Sequence, residues 1–337
     1  MNVIELTKKL MDIPSVSGDE DKVSEYVAGH LQKLGYNVEK QSVDTKLFNV
    51  IATTDHSPAV VFSTHLDTVP PFIPASDDAE FIYGRGSCDA KGIIASQIIA
   101  AEKLRAEGIK NIGLLFTVDE EVGSIGAKKA NEHPLAKECK FLINGEPTDN
   151  ILAIGSKGSL RIRLHAKGKA GHSAYPENGE SAIEKLLDVL NDIRTFDFPV
   201  DSFFGETTCN IGVINGGTRS NVIPDSAFSD LHFRLVTSGA DLKSLFEMVV
   251  GERVEIEYLS KSEPIKMLAV EGFEQRVVRF TTDIPYLTNW GQPLLLGAGS
   301  ILDAHTEHEK VSKKELEKSV ELYIGLAKKL LETDLKS

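Results

Sequence analysis

Three short apolar runs, at residues 59–62, 112–116 and 141–143, each give way at once to histidine or acidic residues. The first enters STHLDTVP (63–70), the second TVDEEVG (117–123) and the third NGEPT (144–148). Continuous runs of three to five apolar residues suit strands buried on both faces rather than half-exposed ones. Helical spacing separates them: a helix is predicted over 92–106 and a short one from Ser124. Buried strands alternating with helices predict a mostly parallel α/β sheet sandwiched by helices. In such sheets the segments just past the carboxyl ends of the strands form the site. His65, Asp67, Glu120, Glu121 and Glu146 all fall in such segments.

A chain of 337 residues exceeds one compact core and predicts two domains. The second shows as a change of texture after Gly158, where Leu160, Ile162, Leu164 and Ala166 alternate with Arg161, Arg163, His165 and Lys167. That period of two is a half-exposed strand. A helix at 181–193, strands near 208–214 and 228–235, a helix near 241–249 and a strand at 254–258 complete a β-α-β-β-α-β order. This order predicts an α+β, ferredoxin-like insertion with helices on one face. The α/β texture returns after Lys266 with a helix at 273–280, a strand at 293–296 and a last helix at 313–332. The expected boundaries are therefore 1–157 with 266–337, interrupted by 158–265. Near the start, a helix is expected at 3–11. Ser17 with Glu20 reads as a capping box for a second helix carrying Val23, Tyr26, Val27, Leu31 and Leu34 and stopped by Gly35.

The net charge of −13 argues against nucleic acid or an anionic membrane as the main partner, since either needs clustered Lys and Arg. Cys88, Cys139 and Cys209 form no CxxC pair, which fits a reducing compartment. No basic-then-apolar leader opens the chain and no run of about 18 apolar residues exists to span a bilayer, so a cytoplasmic protein is expected.

Two further stretches carry the same residue types: GSCDAKG (86–92), just before a helix, and DAHTEHE (303–309), after the strand at 293–296. Carboxylates gathered at several strand ends repel one another, and divalent cations are the natural compensation. Histidine and carboxylate ligands without clustered thiols suit zinc or a similar first-row ion. Adjacent Glu120 and Glu121 point to a division of labour, one binding metal and the other activating water. Blander readings exist for each residue. Asp89 alone could simply favour a helix N-terminus. Glu120 and Glu121 could be a solvated pair, and His308 competes with His305. Cys88 lacks the histidine partner a nucleophile needs.

Taken together, HxDTVP, GxxDxKG, DEE, GEPT, KGxxGHSAxP, GGTxxNVIPD and AHxxxE resemble the M20 family of co-catalytic zinc amidohydrolases, in order along nearly the whole chain. The family includes acetylornithine deacetylases, succinyl-diaminopimelate desuccinylases, aminoacylases and carboxypeptidases. The resemblance implies a zinc-peptidase-like catalytic domain and an inserted lid or dimerisation domain. It implies two Zn2+, with Co2+ as a possible substitute: His65, Asp89 and Glu146 on one ion, Asp89 bridging, and Glu121 and His305 on the other. Glu120 would be the general base and Asp67 would orient His65. His172 would stabilise the oxyanion in the partner subunit's site of a homodimer, and Arg219, Asn221 and Arg234 would contact the substrate. Lys157 is a weaker match to another cationic position. Cys88 within GSCDAKG, with GEPT, points to N-acetylornithine deacetylation in arginine biosynthesis. The short chain and AHTEHEKV depart from that subgroup, leaving desuccinylation, N-acyl-lysine deacylation and dipeptide hydrolysis open. A catalytically silent metal-binding scaffold is the rival of another class; it would lack a ligand, and here every ligand position is filled.

Overall fold

The computed structural model describes residues 1–334, whose contacts fall into two compact units. The first comprises Met1–Ile154, Met267–Arg276 and the stretch from Thr282 onward; the second comprises Gly155–Lys266 and Val277–Thr281. Among the described residues no helix is long and apolar enough to cross a membrane.

The first unit is built on a mixed sheet of β1 (Asn37–Ser42), β2 (Phe48–Thr53), β3 (Val60–His65), β4 (Ile112–Thr117), β5 (Phe141–Asn144) and β6 (Gln292–Leu295). Their order is β1-β2-β4-β3-β5-β6, followed by Leu152–Ser156. Parallel pairing is confined to the centre, β4-β3-β5-β6. The flanks are antiparallel. Every residue of β3 and β4 is buried, because both faces are covered. On one face Val60 and Phe62 pack with helices α1 (Val3–Met11), α2 (Asp21–Lys33), α3 (Lys91–Ala106) and α4 (Lys313–Asp334). On the other, Val61, Leu115 and Leu142 pack with Ala127, Ala130 and Trp290. Register aligns the carboxyl ends: His65 lies opposite Thr117, Ser63 opposite Asn144, and Asn144 opposite Leu295.

Two local expectations are corrected. The Ser17–Glu20 capping box does not form; Glu20 occupies the N-cap of α2 without any side-chain bond to it. A capping box does form one helix earlier, where Asn2 and Glu5 of α1 exchange bonds of 2.9 and 3.2 Å. The helix expected at 273–280 is the strand Gln275–Val278. Gly272, at φ +86°, turns the chain there. The edges of Leu152–Ser156 then hold the segment extended: Leu152 N donates to Glu274 O at 3.0 Å and Lys157 N to Val278 O at 3.2 Å. Finally β1, mostly exposed and polar (NVEKQS), gives no apolar pattern, since Val38 is its one apolar residue and is only partly buried against the core.

In the second unit four antiparallel strands lie in the order Thr208–Gly216, Ser226–Leu235, Gly158–Lys167, Glu255–Ser262. Helices Ala182–Thr195 and Gly239–Val250 cover one face, burying Leu160, Ile162 and Leu164 against Leu186, Leu190, Phe233 and Phe246. The other face carries the charged alternation, including an Arg163–Asp230 fork at 2.6 and 2.8 Å.

Candidate metal centre

The aligned ends of the parallel strands deliver the acidic and imidazole groups to one edge. His65 is the last residue of β3, and Glu120 and Glu121 follow β4. Glu146 follows β5 across Gly145, where a Cβ would come within 2.3 Å of Ile93 Cγ2 and 2.6 Å of Gln97 Nε2. Only glycine lets α3 approach this closely. Asp89 precedes α3, and its peptide bond to Ala90 is cis. His305 arrives from the loop after β6 with φ +62°.

Asp89 sits at the centre. Its Oδ1 is 3.0 Å from His65 Nε2, and its Oδ2 is 3.2 Å from His305 Nε2. His65 Nε2 also lies 4.0 Å from Glu146 Oε2, and His305 Nε2 lies 3.0 Å from Glu121 Oε1. Each carboxylate oxygen of Asp89 thus faces a different imidazole, and each imidazole faces a second carboxylate. The ring facing Asp89 and Glu121 belongs to His305; His308 is an exposed neighbour whose amide donates to Thr306 Oγ1.

Burial sets the direction of the shift at the glutamates. It pushes Glu120 and Glu146 well above the usual carboxylate range, with the charge of Glu146 adding at Glu120 and that of Asp89 at Glu146. Glu121 is raised by burial and by Asp89, against its bond to His305. At Asp89 burial acts in the same direction, but His305 and His65 override it and hold the group low. His65 is opposed by burial, yet Asp67, Asp89 and Glu146 raise it well above the usual imidazole value. His305 is raised to about 10 by Asp89 and Glu121.

Five carboxyl groups, those of Asp67, Asp89, Glu120, Glu121 and Glu146, share this edge with the imidazoles of His65 and His305, and Glu146 Oε1 is buried with no hydrogen-bond partner. Donor atoms of His65, Asp89 and Glu121 lie within 4.8 Å of one another. Ligands around a tetrahedral zinc are about 3.3 Å apart. The separations here, 3.0 to 4.0 Å, bracket that value, so the residues fit a metal centre.

Asp67 is wholly buried behind His65. His65 Nδ1 lies 3.0 Å from the Asp67 carbonyl and 3.4 Å from its Oδ1, so the ring's second nitrogen is anchored and Nε2 is turned toward Asp89. Cys88 is buried and its thiol is pushed far up by burial and by Glu309 and Asp89, the reverse of an activated nucleophile.

Two elements were not singled out from sequence. Asp283 is buried, accepts from Thr117 Oγ1 at 2.8 Å, and is raised to about 6 by burial. It lies in TTDIPY, which carries no motif spacing. Arg85 and Glu309 form a buried pair at 2.6 Å, and Glu309 Oε1 accepts from the amides of Cys88 and Asp89 at 3.2 and 3.3 Å. Sequence marked Glu309 only as the acid ending AHxxxE.

The other predicted residues belong to the second unit. Gly171–His172 pairs with Val222–Ile223, and Ser173 N donates to Asn221 O at 3.1 Å, placing His172 beside the 219–221 turn. His172 is exposed and its Nδ1 accepts from Ala174 N at 3.2 Å, which leaves Nε2 as the donor. Arg219 and Asn221 are exposed. Arg234 is half-buried, and burial and the neighbouring Arg161 lower its pKa. Lys157 Nζ is engaged by the Glu206 carbonyl.

Comparison with known proteins accords with this geometry. Residues 154–255 match the peptidase dimerisation domain model of the M20 family, and residues 49–194 match the model of peptidase family M28. A peptidase M20 domain-containing protein of Schizosaccharomyces pombe is 37% identical over 94% of this chain and 81% of its own length. A probable carboxypeptidase of Emericella nidulans is 35% identical over 98% of this chain and 89% of its own. Among solved structures, a tripeptidase of Staphylococcus aureus superposes with a TM-score of 0.80 at 22% identity, covering 96% of each chain. An M20 family metallo-carboxypeptidase of Sulfolobus solfataricus gives a TM-score of 0.76 at 17% identity over 96% and 98% of the two chains. Fold and relatives define a metal-dependent hydrolase of amide bonds. The chain belongs to the M20 peptidase family.

Proposed function

We propose that this chain is a dinuclear zinc exopeptidase or aminoacylase that cleaves the amide bond before a C-terminal amino acid in dipeptides and N-acyl amino acids. The observation that carries the reading is the division of Asp89 between two imidazoles, one per oxygen. His65, Asp89 and Glu146 would hold one ion, and Asp89, Glu121 and His305 the other. When bound, such a pair lowers the pKa of an attacking water and polarises the scissile carbonyl. Glu120 takes the proton of that water and delivers it to the leaving nitrogen. Asp67 holds the His65 ring through Nδ1. His172, with Nε2 free to donate, stabilises the developing oxyanion in the partner subunit of a homodimer. Arg219, Asn221 and Arg234 contact the substrate, a guanidinium fork matching its carboxylate. The named peptidases and carboxypeptidases among the relatives favour a peptide bond.

N-Acetylornithine is a second substrate reading, favoured by Cys88 in GSCDAKG and by the GEPT loop. Metal analysis together with hydrolysis of dipeptides, N-acetyl and N-succinyl amino acids by wild type and Glu120→Ala tests both. Full turnover by the variant sinks the assigned base, and the preferred substrate decides between the readings.

A further inference from the structure

Four consecutive amides of the turn after β4 donate to side chains from elsewhere in the fold. Val118 N donates to Asn49 Oδ1 at 3.2 Å, Asp119 N to Glu20 Oε1 at 3.0 Å, Glu120 N to Asp67 Oδ1 at 3.0 Å and Glu121 N to Asp67 Oδ2 at 3.1 Å. All three acceptor residues are fully buried. A buried amide left without a partner costs about as much as a lost hydrogen bond. The turn, with Asp119 at φ +62°, is therefore held on its amide side by these acceptors, while the carbonyls of Val118 and Asp119 accept from Gly126 N and Gly123 N at 3.2 Å each.

Two of the contributors are the residues that spaced like a capping box. Ser17 Oγ donates to Asp67 Oδ2 at 2.8 Å. Glu20 turns away from its own helix toward Asp119. Their segment is laced to the HLDT stretch: Ser15 Oγ donates to Leu66 O at 2.9 Å, Thr68 N to Ser15 O at 2.8 Å and Ser17 N to Thr68 O at 3.3 Å. We propose that Ser17 and Glu20 are positioning residues of the catalytic turn, fixing through Asp67 and the Asp119 amide the backbone from which Glu120 and Glu121 project. Neither residue touches the reacting atoms. This inference rests on the reading of Glu120 as base and Glu121 as ligand.

The test measures kcat, KM and the visible absorption of the Co2+-loaded protein for Glu20→Ala, Glu20→Gln, Ser17→Ala and, as a control, Glu120→Gln. Glu20→Ala should lower kcat by about 10–100-fold and weaken the second Co2+ comparably, with KM little changed. Glu20→Gln keeps an oxygen for the Asp119 amide and should recover most of the loss in both readouts. Ser17→Ala should shift the spectrum and kcat in the same direction by less. If Glu20→Gln proves as impaired as Glu20→Ala while folded, the positioning role is overturned. If Glu20→Ala fails to fold, wild-type kcat and spectrum in Ser17→Ala overturn it instead. A fully active Glu120→Gln defeats the catalytic reading itself. An inactive Glu120→Gln beside an unaffected Glu20→Ala defeats only the positioning inference.

Discussion

The two sides of Asp89 are built differently. On the Oδ1 side, His65 and Glu146 stand at the ends of parallel strands, with side chains 1% and 7% exposed. On the Oδ2 side, Glu121 and His305 stand in turns, and the His305 side chain is 50% exposed. Each turn contains a non-glycine residue in the left-handed region, Asp119 at φ +62° and His305 at φ +62°. Such backbone persists only where surroundings enforce it. The Oδ1 side thus rests mainly on sheet register, whereas the Glu121 turn of the Oδ2 side is held by side-chain braces. That asymmetry predicts different consequences for damage on each side.

The largest effect should come from the residue the two sides share. Asp89→Ala removes a donor from both, so hydrolysis should fall to background with both metals lost on dialysis, read by metal analysis. Retention of one tightly held metal would show that Asp89 serves only one side. Next, Glu120→Gln should lower kcat by about 10²–10⁴-fold while metal content and melting temperature hold. Loss of metal along with activity would move Glu120 from base to ligand.

Removing one partner of a buried ion pair costs about 3–5 kcal/mol because the other charge stays buried and uncompensated. Glu309→Ala, which strands Arg85 and frees the amides of Cys88 and Asp89, should destabilise the chain by about that amount in urea unfolding. A change below about 1 kcal/mol would mean that water reaches Arg85. A smaller and more selective effect should appear in chelator titrations of the wild type. The exposed His305 side should release its metal first, leaving one more slowly exchanging ion. His305→Ala should abolish only the fast phase. Simultaneous release would contradict the asymmetry.

The same contrast explains what could be read from sequence. Strands β3, β4 and β5 were legible because burial on both faces leaves an uninterrupted apolar run, and His65, Glu120, Glu121 and Glu146 were legible because they abut those runs. Of the braces only Asp67 was legible, through its place two residues after His65. Asp283 and Asn49 act across sequence distances of 166 and 69 residues, which no local spacing encodes. Glu20 was visible but misassigned: Ser-x-x-Glu before an apolar helix is a good cap signal, and a stronger claim on both side chains came from Asp67 and Asp119. The segment at 273–280 failed for a related reason, since pairing with Leu152–Ser156 outweighed its helical spacing.

Glu20 also gives the smallest and most specific prediction. Burial, then the charge of Asp67, raises it from 4.5 to about 7, against the amide bonds it accepts, including that from Asp119. A carboxyl whose pKa is higher in the folded state binds its proton more tightly there. Its contribution to stability is complete below about pH 4.5 and is lost as pH rises through about 7. A tenfold difference in proton affinity between folded and unfolded chain is worth about 1.4 kcal/mol, so the wild type should lose about 1–3 kcal/mol across that window from this group. Glu20→Gln cannot titrate and should lack this slope. The difference between the two unfolding free energies, measured in metal-free protein from about pH 5 to 8, cancels every other shared titration. Parallel curves would show that Glu20 is charged in the folded state. Divergence toward high pH, with the glutamine variant the more stable, would show that the brace behind the turn works as a neutral acid. It would also show that the Oδ2 side of the site is maintained at a standing cost which the strand-end side does not carry.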